Sequence, residues 1–255
     1  MPHARTRRFR WAGYLLGFSL GGFFDGILLH QILQWHHLLS TINAGDMRFQ
    51  VAADGFFHAF MYVVAAAGLW MLWRSWQRAE AASGRLLAAT MLIGFGTWHI
   101  LDSVLSHWLL GIHRIRMDSE FPLMWDLIWF AVFGLLPFAL GVWAHRRQGG
   151  DRPPGRPAVA ASIATCLALG AGAQALQPPQ DTPFTTVLFA PGTRPANALE
   201  AVSMAGGRLV WSDTSGELMV IEINRGSSAL SLYRRGAILV SGSALPAGCF
   251  DYLRI

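Results

Sequence analysis

Apolar residues gather into five long runs, at about 11–39, 56–76, 86–112, 121–145 and 158–176. Each reaches the roughly 20 residues a helix needs to cross about 30 Å of hydrocarbon. The first and third exceed that length, so they are expected to tilt or project beyond the bilayer. Turn residues divide the runs: Thr41-Ile42-Asn43-Ala44-Gly45-Asp46, then Ser83-Gly84, then Ser119-Glu120-Phe121-Pro122. The pattern predicts that the first helix ends near Ser40 and that the second begins near Asp54, with Asp54 as its N-cap. The fourth should start at Pro122 and be kinked at Pro137.

Beyond Pro178-Pro179 the periodicity changes. Strand character at 187–190 is followed by a helix at 196–205 and a hairpin of 208–211 and 217–223 around Asp213-Thr214-Ser215-Gly216. A short helix at 229–235 and a strand at 237–241 complete the order. Strand-helix-strand-strand-helix-strand predicts a small ferredoxin-like α/β domain. The expected fold is therefore an all-α polytopic membrane bundle, a four-helix core plus a fifth anchor helix, with this extramembrane domain at its C-terminal end. The expected organisation is a basic arm at 1–10, the core at 11–147, a Gly/Pro/Arg linker at 148–157, the fifth helix at 158–177 and the α/β domain at 180–255.

Composition agrees. The chain is 53% hydrophobic and only 14% charged, too apolar for an ordinary soluble domain. Its net charge of +5 contains no lysine, and the arginines sort by side of the membrane instead of forming a nucleic-acid surface. Eleven (Arg5, Arg7, Arg8, Arg10, Arg74, Arg78, Arg85, Arg146, Arg147, Arg152, Arg156) fall in the arm and two of the loops, against three (Arg48, Arg114, Arg116) in the others. The positive-inside rule puts the N-terminus in the cytoplasm and the C-terminal domain outside. The first run is far longer than a signal-peptide core and lacks a small-x-small cleavage site, so it is read as a permanent helix. Cys166 and Cys249 fall in different environments and no C-x-x-C exists, so thiolate chemistry is unsupported.

This topology, fixed from arginines alone, brings seven histidines and four aspartates to the outer half of the bundle: His30, His36, His37, His58, His99, His107 and His113, with Asp25, Asp54, Asp102 and Asp126. An ionisable side chain at the centre of a spanning helix costs roughly 2.5–3.5 kcal/mol on insertion scales, so such residues are usually functional. At about 100° per residue, His30 and His37 share a face, as do Asp54 with His58 and His99 with Asp102; Asp102 and His113 align if the helix continues. Imidazole with carboxylate and no thiolate suits copper, iron, zinc or manganese, with the aspartates as ligands or as partners that orient the histidines. Three competing readings remain: hydrogen bonding between helices, haem b held by two of His30, His58 and His99, and a proton relay. The small residues Gly13, Gly17 and Gly21 read as a helix-packing seam.

The run Gly22-Phe23-Phe24-Asp25-Gly26-Ile27-Leu28-Leu29-His30-Gln31-Ile32-Leu33-Gln34-Trp35-His36-His37 resembles the opening signature of the DUF2243 family of uncharacterised bacterial membrane proteins. Asp54-Gly55-Phe56-Phe57-His58, Thr97-Trp98-His99-Ile100-Leu101-Asp102, His113-Arg114-Ile115 and Trp125-Asp126-Leu127 are similar to its later blocks. The resemblance covers about residues 12–147, and the fifth helix and tail look like an added module. It implies a bacterial inner-membrane location and no established activity. Family members are similar to genomic neighbours of copper-handling assembly proteins of cytochrome oxidase, which implies metal work and a respiratory-oxidase partner.

Together these readings give a multi-pass inner-membrane protein with a His/Asp transition-metal site, copper or iron first and zinc also compatible, open toward the periplasm. Two function classes follow: metal handling in support of a respiratory oxidase, or a membrane oxidoreductase.

Overall fold

A computed structural model describes residues 7–33, 35–36, 38–39, 41–42, 47–78, 83–147, 157–175, 184–223 and 229–240. His37, residues 1–6 of the basic arm, the linker at 148–156 and Cys249 lie outside them. Among the described residues, five helices are long and apolar enough to cross a membrane. Helix α1 (Arg7–Asp25) continues as a π-helical turn at Gly26–Ile32. Helix α2 spans Met47–Gln77. Helix α3 (Gly84–Asp102) also runs into a π-helical segment, Ser103–Leu109. The fourth crossing comprises α4 (Pro122–Trp129), a π segment at Phe130–Leu135 and α5 (Leu136–Arg146). The fifth is α6 (Pro157–Ala175).

The widened segment before Pro137 has a direct cause. Proline has no N–H to donate, and its ring crowds the preceding turn, so the helix loosens there. Helix α2 begins seven residues before the expected start at Asp54. That carboxylate does not cap its own helix; it accepts a hydrogen bond from the Leu38 amide at 2.9 Å.

Contacts divide the chain into two units, one of Met1–Asp25 and Phe60–Gly172, the other of Gly26–Ala59 and Ala173–Ile255. In the first unit, α1 lies directly on α3. A Cβ on Gly17 would collide with the Met91 backbone carbonyl, and one on Gly94 with that of Tyr14. This is the glycine seam expected from the small residues of α1, and it lets two backbones touch.

The second unit contains the C-terminal domain: β1 (Phe184–Phe189), α7 (Pro195–Met204), β2 (Arg208–Ser212), β3 (Leu218–Glu222), α8 (Ala229–Tyr233) and β4 (Ala237–Val240). The four strands form one antiparallel sheet in the order β2-β3-β1-β4. One face packs on the short helices, burying Val187, Phe189, Val202, Met219, Ile221 and Leu232. The other face presents Leu188 and Leu218 to Val51 near the start of α2, with Ala52 and Leu239 beside them. Arg48 clamps this arrangement, pairing with Asp213 at 3.2 Å and Glu217 at 2.6 Å in the β2–β3 turn. Partial burial pushes the Asp213 carboxyl up, but the Ser215 hydroxyl, the Leu218 amide and Arg48 outweigh it and hold it below the ordinary carboxylate value.

Candidate metal centre

Every candidate histidine and aspartate among the described residues is buried: His30, His36, His58, His99, His107 and His113, with Asp25, Asp54, Asp102 and Asp126. Burying this many ionisable groups is costly unless they meet one another or an ion. Among the described residues, two sets have the spacing of a metal-ligand set, one including His30 and His36, the other made of Asp102, His107 and His113.

In the first group, Nε2 of His30 and Nε2 of His36 face each other at 3.1 Å. Behind His30, Nδ1 stands 3.5 Å from Asp54 Oδ1. The Leu38 amide fixes that same carboxylate oxygen. One turn further along α2, His58 Nδ1 lies 3.0 Å from the Asp54 backbone carbonyl. A carbonyl only accepts, so Nδ1 carries the proton and Nε2 is the lone-pair nitrogen. His58 Nε2 sits over Gly26, where a Cβ would come within 2.6 Å of it. A side chain at residue 26 would displace the imidazole. Asp25 ends α1 immediately before this segment, and its Oδ2 accepts the Trp98 indole N–H at 3.4 Å.

In the second group, His107 lies between two aspartates, with Nε2 3.1 Å from Asp102 Oδ2 and Nδ1 3.1 Å from Asp126 Oδ1. His113 Nε2 is 3.6 Å from the other Asp102 oxygen. Asp126 is tied down twice more, by the Ile115 amide at 3.0 Å and the Arg114 guanidinium at 2.7 Å. Ligand-capable atoms of Asp102, His107 and His113 all lie within 4.8 Å of one another.

His99 stands apart from both groups. Its ring is enclosed by Phe24, Phe95, Trp129 and Phe133, with centroids 4.7–6.0 Å away. The Trp129 indole N–H donates to His99 Nδ1 at 3.2 Å. Indole can only donate, so the neutral ring carries its own proton on Nε2 and offers an N–H there in place of a lone pair.

A family model described as "Predicted membrane protein (DUF2243)" matches residues 12–148. The chain belongs to this family. The match takes in both His/Asp groups and stops before the fifth helix, so the α/β domain is an addition to the DUF2243 core. No curated protein and no solved structure matches the chain.

The π-helical turns were the feature that α-helical spacing missed. Asp102 meets His107, five residues on, across the turn of Ser103–Leu109. On a regular α-helix those two side chains would point about 140° apart. The sequence signal was the D-x4-H spacing itself, present at both Asp25/His30 and Asp102/His107. Trp129 and Arg114, which fix His99 and Asp126, carried no signal beyond their neighbourhood.

Proposed function

We propose that this chain is a metal-handling protein of the bacterial inner membrane. It holds a transition-metal ion on its buried His/Asp residues and serves the assembly or support of a respiratory oxidase. One observation carries the reading: His30 and His36 direct the same ring nitrogen at each other, in a buried site, with an aspartate behind one of them. Two nitrogens each ~2.0–2.1 Å from one ion stand about 3.1 Å apart when they subtend about 100°, between octahedral and tetrahedral angles. An aspartate behind a ligating imidazole is the usual device for fixing its tautomer, and Asp54 stands there. His58, with its proton held by a carbonyl, supports the same site, and His37 is the nearest further candidate in sequence. Copper or iron fits this donor set best, and zinc is compatible. An ion bound there would supply a Lewis-acid or redox centre; the chain's own residues fix its donors and exclude water.

The arginine distribution supports an N-terminus in the cytoplasm and a periplasmic C-terminal domain. The strand order supports a ferredoxin-like reading of that domain, placed to dock a partner. A second reading, a membrane oxidoreductase, draws on the aromatic enclosure of His99, which could receive a hydrogen-bonding substrate.

The test is elemental analysis with an optical spectrum on the full-length protein purified in detergent, beside His36→Ala. Bound copper, iron or zinc without a Soret band, reduced in the variant, is expected. A Soret band would make the chain a b-type cytochrome, and no metal even after reconstitution would sink the proposal.

A further inference from the structure

Residues 8–36 align without a gap on residues 85–113, a constant offset of 77, with ten identities in 29 positions. The identities include Gly17/Gly94, Phe18/Phe95, Asp25/Asp102, His30/His107 and His36/His113. Structure obeys the same offset. Helix α1 (Arg7–Asp25) maps onto α3 (Gly84–Asp102) residue for residue, and the π turn Gly26–Ile32 onto Ser103–Leu109. The backbone bonds that close each turn are equivalent: Leu33 N–H to Leu28 and Leu110 N–H to Leu105, both 2.8 Å, then Trp35 to Leu29 at 2.9 Å and Ile112 to Ser106 at 2.8 Å. Even the crossing of α1 on α3 is reciprocal, since Gly17 meets Met91 and Gly94 meets Tyr14. Met91 and Tyr14 are themselves 77 apart.

The side-chain groups repeat as well. His30 and His36 have ring centroids 4.7 Å apart at 75°, His107 and His113 4.7 Å apart at 70°. An aspartate from the following helix faces Nδ1 of the first histidine in each half, Asp54 for His30 and Asp126 for His107. That aspartate accepts an amide bond at equivalent positions, from Leu38 at 2.9 Å and from Ile115 at 3.0 Å. Agreement at this many independent contacts is not expected of two unrelated hairpins that happen to share a D-x4-H-x5-H spacing.

We infer that the DUF2243 core is a duplicated helical hairpin, and that each half carries its own transition-metal site. The second site is Asp102, His107 and His113, with Asp126 orienting His107 as Asp54 orients His30. This rests on the metal reading above and doubles it: two sites per chain, built alike. The halves depart from each other where accessory groups stand. Arg114 occupies the position of His37, Ser103 that of Gly26, and His99 that of Gly22. Arg114 neutralises part of the Asp126 charge, so the second site binds a cation more weakly than the first.

The test is Co(II) binding by full-length protein in detergent, read by equilibrium dialysis and by the visible ligand-field bands of the bound ion. The wild type is expected to bind two equivalents with two affinities. His36→Ala and His107→Ala should each retain one, and the double variant none. His107→Gln, which keeps the size and polarity of the site, controls for folding and should also retain one equivalent. A wild type binding one equivalent that His107→Ala and His107→Gln leave intact overturns the second site while the first stands. Loss of all metal in either single variant overturns two independent sites in favour of one shared centre. No binding by the wild type overturns both readings.

Discussion

The two halves of the transmembrane core repeat one backbone plan, a helix running into a π turn, and one histidine pair faced by an aspartate, yet their surroundings differ. In the first half, His58 approaches from α2 and needs a glycine at residue 26 to sit where it does. In the second, the corresponding residue of the π turn is Ser103, and an arginine braces Asp126 instead. The halves also differ in their other histidines: His37 and His58 have no counterpart in the second half, and His99 stands where the first has Gly22. What both halves keep is a histidine pair with an aspartate facing Nδ1 of its first member; what they vary is the charge and hydrogen bonding around it. On the two-site proposal, a fixed donor set with changed neighbours gives one scaffold two sites of different affinity.

The comparison is most severely tested at the glycine seam. A methyl group at Gly17 or Gly94 meets a backbone carbonyl, which cannot rotate away as a side chain would. Gly17→Ala and Gly94→Ala should each destabilise by about 1–3 kcal/mol, and by similar amounts, read as thermal unfolding in detergent. Strong sensitivity at only one position would break the reciprocity of the crossing.

Next in size are the orienting aspartates. Asp54→Asn and Asp126→Asn should each weaken metal binding in their own half by roughly 10–100-fold, leaving the other half unchanged in a Co(II) titration. Cross-effects between the halves would mean that the two groups act as one.

The smallest effect belongs to the C-terminal domain. Arg48 is one-third exposed where it pairs with Asp213 and Glu217, so Arg48→Ala should cost less than about 1 kcal/mol. The Asp213 carboxyl is held below its ordinary value in the fold. Its contribution is therefore present above the ordinary carboxylate range and is lost as pH falls through the lowered value. Limited proteolysis of the tail should increase on acidification in the wild type, and less steeply in Arg48→Ala. Equal acid sensitivity in both would remove this clamp from the account.

Much of this was legible in the residues, and the reason differs from place to place. Five membrane-length runs and the strand-helix-strand-strand-helix-strand order of the tail follow from hydrophobic periodicity, which burial enforces directly. That Asp25, His30, Asp102 and His107 lie within long apolar runs was legible in the sequence, and burial is what such a position demands. The pairing of Asp102 with His107 was not legible, because it depends on a π turn that a 3.6-residue period cannot represent. Reading His99 as the partner of Asp102 was the natural α-helical choice, and the widened turn gives Asp102 to His107 instead. The internal repeat was hidden for another reason: outside the ligands and the glycine seam, the halves share mostly interchangeable apolar residues, which fix helices without preserving identity. Asp54 has the character of a helix cap, which sets the expected start of α2 too late; its carboxylate instead accepts the Leu38 amide from the chain before the helix.

The sheet that rests on the start of α2 also fixes an order of events in biosynthesis. Val51 and Ala52 leave the ribosome long before Leu188, Leu218 and Leu239, so the helix must wait with its apolar stripe uncovered until the tail is made. The tail cannot finish its own packing in isolation, because one face of its sheet is completed by a membrane helix. Released as a fragment, the tail would turn those leucines toward water.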